Sequence, residues 1–188
     1  MKRSRDIRVI RTQTSLLEAL RELLSSKKLS GITITDLCSE AKVNRNTFYY
    51  HYNNIIEFLD DHKKLVIDEL NQIPEVSKTH NKQNLVDVLT VIKQHPVFMS
   101  ILISPNCDLD FFNDIFSVAS EKAKVNIDNP SGITSSRDLL FCNYCNAGCN
   151  AVICSWILNG MKESPEEIAD IISEASRKGP ITILFPDK

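Results

Sequence analysis

Two helix-start signals eleven residues apart constrain this chain more than any other feature. Thr33 offers a hydroxyl as an N-cap and Asp36 a carboxylate three residues later. In that pattern each side chain bonds the other residue's backbone N–H. Asn44 is a second good N-cap, for a helix beginning at Arg45. Only a short helix and the break at Lys42-Val43-Asn44 fit between them. Upstream, Ile7, Ile10, Leu16, Leu17, Leu20 and Leu24 recur at helical spacing, and Gly31 punctuates the following stretch. A long helix, a short helix, a tight break and a second short helix make the layout of a helix-turn-helix.

The second short helix carries "NRNTFYYHY" at 44–52. Phe48 and Tyr52 are four apart and share one face, which the spacing predicts to pack against Leu37, Ala41 and Val43. Three further stripes, Arg45/Tyr49, Asn46/Tyr50 and Thr47/His51, are left for solvent. Their guanidinium, amide, phenol, hydroxyl and imidazole groups suit phosphates and base edges. Charge agrees with that reading. Residues 1–65 hold 12 Lys/Arg against 8 Asp/Glu, while residues 66–188 hold 10 against 16. A basic first third on an acidic remainder suits a polyanionic partner.

The rest also reads as helix. Segments at 55–73, 84–95, 97–104 and 108–127 each stop at or near a proline. A long, mostly apolar segment follows at 136–160. Ser164, Pro165 and Glu167 together mark the start of a final helix. Only 181–185, "ITILF", could alternate as a strand. With 43% hydrophobic residues and 5 glycines in 188, the expectation is an all-α chain of about nine helices. No apolar window reaches about 18 residues, and no apolar signal core follows the basic N-terminus. We therefore expect no membrane partner, a cytoplasmic location and mostly reduced cysteines. The histidines at 51, 62, 80 and 95 make no catalytic pattern, and no phosphate or dinucleotide loop occurs. The expectation is a non-enzyme with no cofactor.

The run "ITITDLCSEAKVNRNTFYYHYNNIIEFL" resembles the DNA-binding region of the TetR family of bacterial transcription regulators. The features that match are a Thr-capped second helix, a four-residue turn, and Thr47-Phe48-Tyr49-x-His51-Tyr52 followed by an acidic residue and Leu59. The resemblance implies a three-helix DNA-binding domain at 1–54 and a helical ligand-binding and dimerisation domain at 55–188. It implies that Thr47, Tyr49 and His51 grip the DNA backbone. Arg45, Asn46 and Tyr50 would face base edges, and Thr35 would lie near bases or phosphates. Two positions depart from the family pattern. Lys42 stands where Gly is common, so the turn either holds a left-handed Lys, at roughly 1 kcal/mol, or differs locally. Ile55 stands where Lys is common, which removes one phosphate contact; Lys2, Arg3, Arg5 and Arg8 could compensate.

The resemblance further implies a homodimer, a double-stranded DNA operator and a small-molecule effector. "W-x3-G-x3-SPEEIA" is similar to a Gram-positive subgroup, some of whose members adjoin dihydroxyacetone-kinase genes. The last two long helices would pair with a partner subunit through Gly148, Ala151, Trp156, Ile168 and Ile172. Candidates for an effector pocket are Val88, Ile92, Phe98, Leu102, Phe112 and Phe116. Cys142, Cys145 and Cys149 follow C-x2-C-x3-C spacing on one helix side. Structural zinc needs four ligands, usually on turns, so no metal is expected and the thiols read first as compact apolar residues. A competing reading is a cysteine-based redox or metal sensor with weak or no DNA binding.

Overall fold

The structure of the protein, a computed structural model, describes residues 7–74, 81–123 and 135–178. The described residues form nine α-helices and no strand. These are α1 Ile7–Leu24, α2 Ile34–Glu40, α3 Arg45–His51, α4 Ile55–Asn71, α5 Asn81–Gln94, α6 Pro96–Leu102, α7 Phe111–Ala123, α8 Ser136–Leu158 and α9 Pro165–Lys178. One 3-10 turn, Leu29–Gly31, follows α1. The all-α expectation holds; the strand-like stretch at 181–185 lies outside the described residues. Pro96 does more than stop a helix. It ends α5 and opens α6 at the first helical position, where its missing N–H is no loss. Among the described residues no single helix is long and apolar enough to cross a membrane.

The caps form as their residue types require. Asp36 N donates to Thr33 Oγ1 at 3.0 Å, and Thr33 N donates to Asp36 Oδ2 at 3.1 Å. The Thr33 backbone N–H is also the chief cause holding the Asp36 carboxyl below its ordinary range. This cap is therefore complete above the ordinary carboxyl pKa of 3.8 and is lost as pH falls through the lower folded value. Thr33→Ala should destabilise the protein by about 0.5–2 kcal/mol at neutral pH. Urea midpoints followed by circular dichroism will show it, and a midpoint equal to wild type would remove the cap from the account of α2.

α2 and α8 end in the same way. Lys42 N donates to Ser39 O at 3.2 Å and Val43 N to Cys38 O at 2.9 Å. Gly160 N donates to Ile157 O at 3.0 Å and Met161 N to Trp156 O at 2.9 Å. This paired pattern needs a left-handed residue just past the helix. Gly160 supplies it at φ +79° and Lys42 at φ +54°. The turn of the helix-turn-helix thus keeps the conformation that glycine would give, and Lys42 bears a strain of about 1 kcal/mol.

The chain divides into two compact units. The first comprises Met1–Leu65 and Val97–Asn113, the second Val66–Pro96 and Asp114–Lys188. In the first, Leu16, Leu20, Leu24, Leu37, Phe48, Phe58, Leu59 and Phe98 are fully buried. Ala41 and Val43 are half-buried. An aromatic chain runs through this core: ring centroids lie 6.2 Å apart for Phe48–Phe58, 4.7 Å for Phe58–His62 and 5.7 Å for His62–Phe98. Asn106, in the loop after α6, braces the end of α1. Its carbonyl accepts from Leu29 N at 2.9 Å, and its amide donates to Leu24 O at 2.8 Å.

In the second unit α5 packs against α9, and α8 against α9. Trp156 Nε1 and Lys93 Nζ both donate to the Glu163 carbonyl, at 3.2 and 2.8 Å. Lys82 pairs with Asp170 at 2.6 Å. The cap predicted for α9 is present: Ser164 N donates to Glu167 Oε2 at 2.7 Å and Glu167 N to Ser164 Oγ at 3.2 Å.

Candidate nucleic-acid interface

α3 is short because its ends are fixed chemically. Asn44 Oδ1 accepts from Asn46 N at 2.8 Å, and Tyr52 already has extended backbone. On these two turns Phe48 and Tyr52 are buried, with 1% and 8% of their surface exposed. Arg45, Asn46, Thr47, Tyr49, Tyr50 and His51 are all exposed. Tyr49 and Tyr50 show 55% and 84% of their surface to solvent, unusual for aromatic side chains with an apolar core so near. The Tyr50 and His51 rings meet edge to face at 4.8 Å. Thr35 is exposed on α2, and Arg45 Nη1 donates to its Oγ1 at 3.3 Å. All seven residues predicted for the interface thus lie on the surface, and Thr35 and Arg45 touch across the turn.

α3 is aimed by contacts between residues distant in sequence. Tyr52 is more than a core ring. Its hydroxyl accepts from Gln13 Nε2 at 2.6 Å and donates to Asp61 Oδ2 at 3.2 Å, which joins the end of α3 to α1 and α4. A buried tyrosine hydroxyl usually finds such partners, so a buried Tyr52 was itself the available signal. The start of α4 is equally constrained. Glu57 N donates to Asn54 Oδ1, and Glu57 Oε2 accepts from Asn53 N and Asn53 Nδ2, each at 2.8 Å. Ile55 is buried at 7%, so this position contributes to the core rather than reaching for a phosphate. Lys2, Arg3 and Arg5 lie outside the described residues, and Arg8 is exposed on α1.

The other candidates are less gathered. Phe98, Leu102 and Phe112 belong to the first unit; Val88, Ile92 and Phe116 belong to the second. Val88, Ile92, Phe98 and Leu102 are buried, and Phe112 and Phe116 of α7 are half-buried. Trp156, Ile168 and Ile172 are 2–4% exposed within the protomer, so they pack α8 and α9 together and do not face outward. Gly148 and Ala151 are exposed. Among the described residues no group of three or more His, Cys, Asp or Glu could hold a metal ion.

Comparison with known proteins fits this geometry. Residues 79–178 match the TetR_C_8 model, described as a transcriptional regulator C-terminal region. A curated relative, the uncharacterized HTH-type transcriptional regulator YxbF of Bacillus subtilis (strain 168), is 23% identical over 165 residues. That match covers 84% of this chain and 42% of the relative, so the chain spans about two fifths of the length of the curated relative it matches. Among solved structures, NalD of Pseudomonas aeruginosa, the secondary repressor of the MexAB-OprM multidrug efflux pump, superposes with a TM-score of 0.55 at 16% identity. It covers 91% of this chain and 97% of NalD. The dihydroxyacetone kinase operon activator DhaS gives 0.50 at 24% identity, over 88% and 93%. At these identities the two structures speak for the fold.

Proposed function

The chain belongs to the TetR family of transcriptional regulators, and from that membership we propose that it is a homodimer that binds a palindromic DNA operator through α3 and answers to a small ligand. Residues 1–54 act as the reading head and residues 55–188 as the ligand-binding and dimerisation body. The observation that carries the reading is the polarity of α3. Phe48 within it and Tyr52 at its C-cap are buried and anchor it, while every other side chain of the helix is exposed and able to hydrogen-bond. Arg45, Asn46 and Tyr50 face base edges. Thr47, Tyr49 and His51 hold phosphates, and Thr35 supports Arg45. Such a protein works in the cytoplasm, where the DNA is, and nothing in this role requires catalysis.

The two kinds of contact separate experimentally. Tyr49→Phe removes a phosphate-directed hydroxyl, so affinity should fall similarly on operator and random DNA. Arg45→Ala removes a base reader, and discrimination should fall by about 1–3 kcal/mol, roughly 5- to 150-fold. Shift assays on both DNAs will decide it. Equal loss on both DNAs by both mutants overturns the assignment.

Dimerisation rests on the outer side of α8. Leu140, Tyr144, Ala147, Ala151, Ser155 and Leu158 repeat at helical spacing and are all exposed. Gly148 lies beside this stripe, and a Cβ added there would meet nothing within 4 Å. A mid-helix glycine costs about 1 kcal/mol relative to alanine, and the protomer's own packing has no use for it. Close approach of a partner helix would. In the two-fold dimer the recognition helices read major grooves about 34–36 Å apart, or a multiple of that. The effector is held among apolar side chains of the body, with Val88, Ile92 and Phe116 of the second unit as its nearest wall. It acts only through different affinities for the competent and incompetent spacings.

A further inference from the structure

We propose that Cys145 and Cys149 of α8 form a binding site for a thiophilic trivalent arsenical, bridged by the two sulfurs. The two residues are four apart on one helix and both are half-buried. They lie on the side of α8 away from the stripe assigned to dimerisation, and Ser176 of α9 hydrogen-bonds to Cys149. Neither has a part in the reading of DNA.

Spacing selects the ligand. Cβ atoms four apart on a helix stand about 5–6 Å from one another. A disulfide needs about 3.5–4.5 Å between Cβ atoms, so direct oxidation of this pair would have to break α8. A single soft atom with two bonds to sulfur of about 2.3 Å spans the wider gap while the helix stays intact. A four-coordinate metal would still lack ligands, since no third donor joins the pair among the described residues. A mono-organic arsenical brings its own third substituent and needs only two thiols. Cys142 precedes the pair by one turn; its side chain lies outside the described residues. Burial pushes the Cys149 thiol above its ordinary range, opposed by the Ser176 hydroxyl. Cys149 is therefore held as a thiol rather than a thiolate near neutral pH and is poorly reactive toward alkylating agents.

Arsenical binding needs no free thiolate at the outset. Each sulfur forms one bond to arsenic as its proton leaves, and the oxide oxygen departs with both protons as one water. Arsenic remains trivalent and no electrons are transferred. The probe is phenylarsine oxide, added to the full-length reduced protein. The expected result is one phenylarsenic adduct per chain by intact mass, with loss of two titratable thiols and reversal by 2,3-dimercaptopropanol. The melting temperature should rise, because the adduct favours the folded helix. Cys145→Ser and Cys149→Ser should each weaken binding at least 10-fold with unchanged circular dichroism, whereas Cys142→Ser should keep both adduct and melting shift. If either Ser variant misfolds, Cys145→Ala and Cys149→Ala stand in for them. No adduct on wild type, several adducts per chain, or undiminished binding in the Cys145 and Cys149 variants would each overturn the proposal.

Discussion

Phe48→Ala should destabilise the first unit by about 3–5 kcal/mol and abolish operator binding. Phe48 is 1% exposed and meets Tyr52 and Phe58 at ring-centroid distances of 5.7 and 6.2 Å. Removing it leaves a cavity under α3, and the network through Tyr52 then has no floor. The protein supplies a way to localise the damage. Its single tryptophan, Trp156, lies in the second unit. Urea unfolding followed by circular dichroism should gain an early transition, while Trp156 fluorescence keeps a midpoint near wild type. A variant that binds operator normally with an unchanged transition would show that Phe48 does not hold the reading head.

Ala151→Asp should convert dimers to monomers. An unpaired charge buried in an interface costs about 3–5 kcal/mol, so the dissociation constant should rise by at least two orders of magnitude. The fold should survive, because Ala151 is exposed in the protomer. Trp156→Ala makes the contrast: Trp156 is 2% exposed, so its loss should loosen the second unit itself. Sedimentation equilibrium of both, beside wild type, separates interface from core. A monomeric wild type would end the dimer reading.

Local chemistry made much of this molecule readable in advance. Thr33, Asn44, Ser164 and the prolines each act within four residues, so helix starts and stops followed directly from residue type. The exposed stripes of α3 followed from periodicity alone. α5 starts at Asn81, three residues before the apolar pattern does, because Asn81 to Gln83 bring no apolar side chain to it. What stayed hidden depends on contacts between distant residues. Gln13 and Tyr52 are 39 positions apart, and Asn106 and Leu24 are 82 apart. Periodicity also could not tell which side of α8 faces inward, since both sides are apolar. Trp156, Ile168 and Ile172, the interface candidates, are buried within the protomer.

The brace at Asn106 bears on protein engineering. A designer who wants to exchange DNA specificities between regulators would cut after the recognition helix and splice the N-terminal piece onto a foreign body. Here that graft would leave two hydrogen-bonding partners behind, the Asn106 carbonyl for Leu29 N and the Asn106 amide for Leu24 O. The compact unit that carries the recognition helix, Met1–Leu65 with Val97–Asn113, is discontinuous in sequence. A chimera will keep that unit intact only if the donor's Val97–Asn113 segment travels with it.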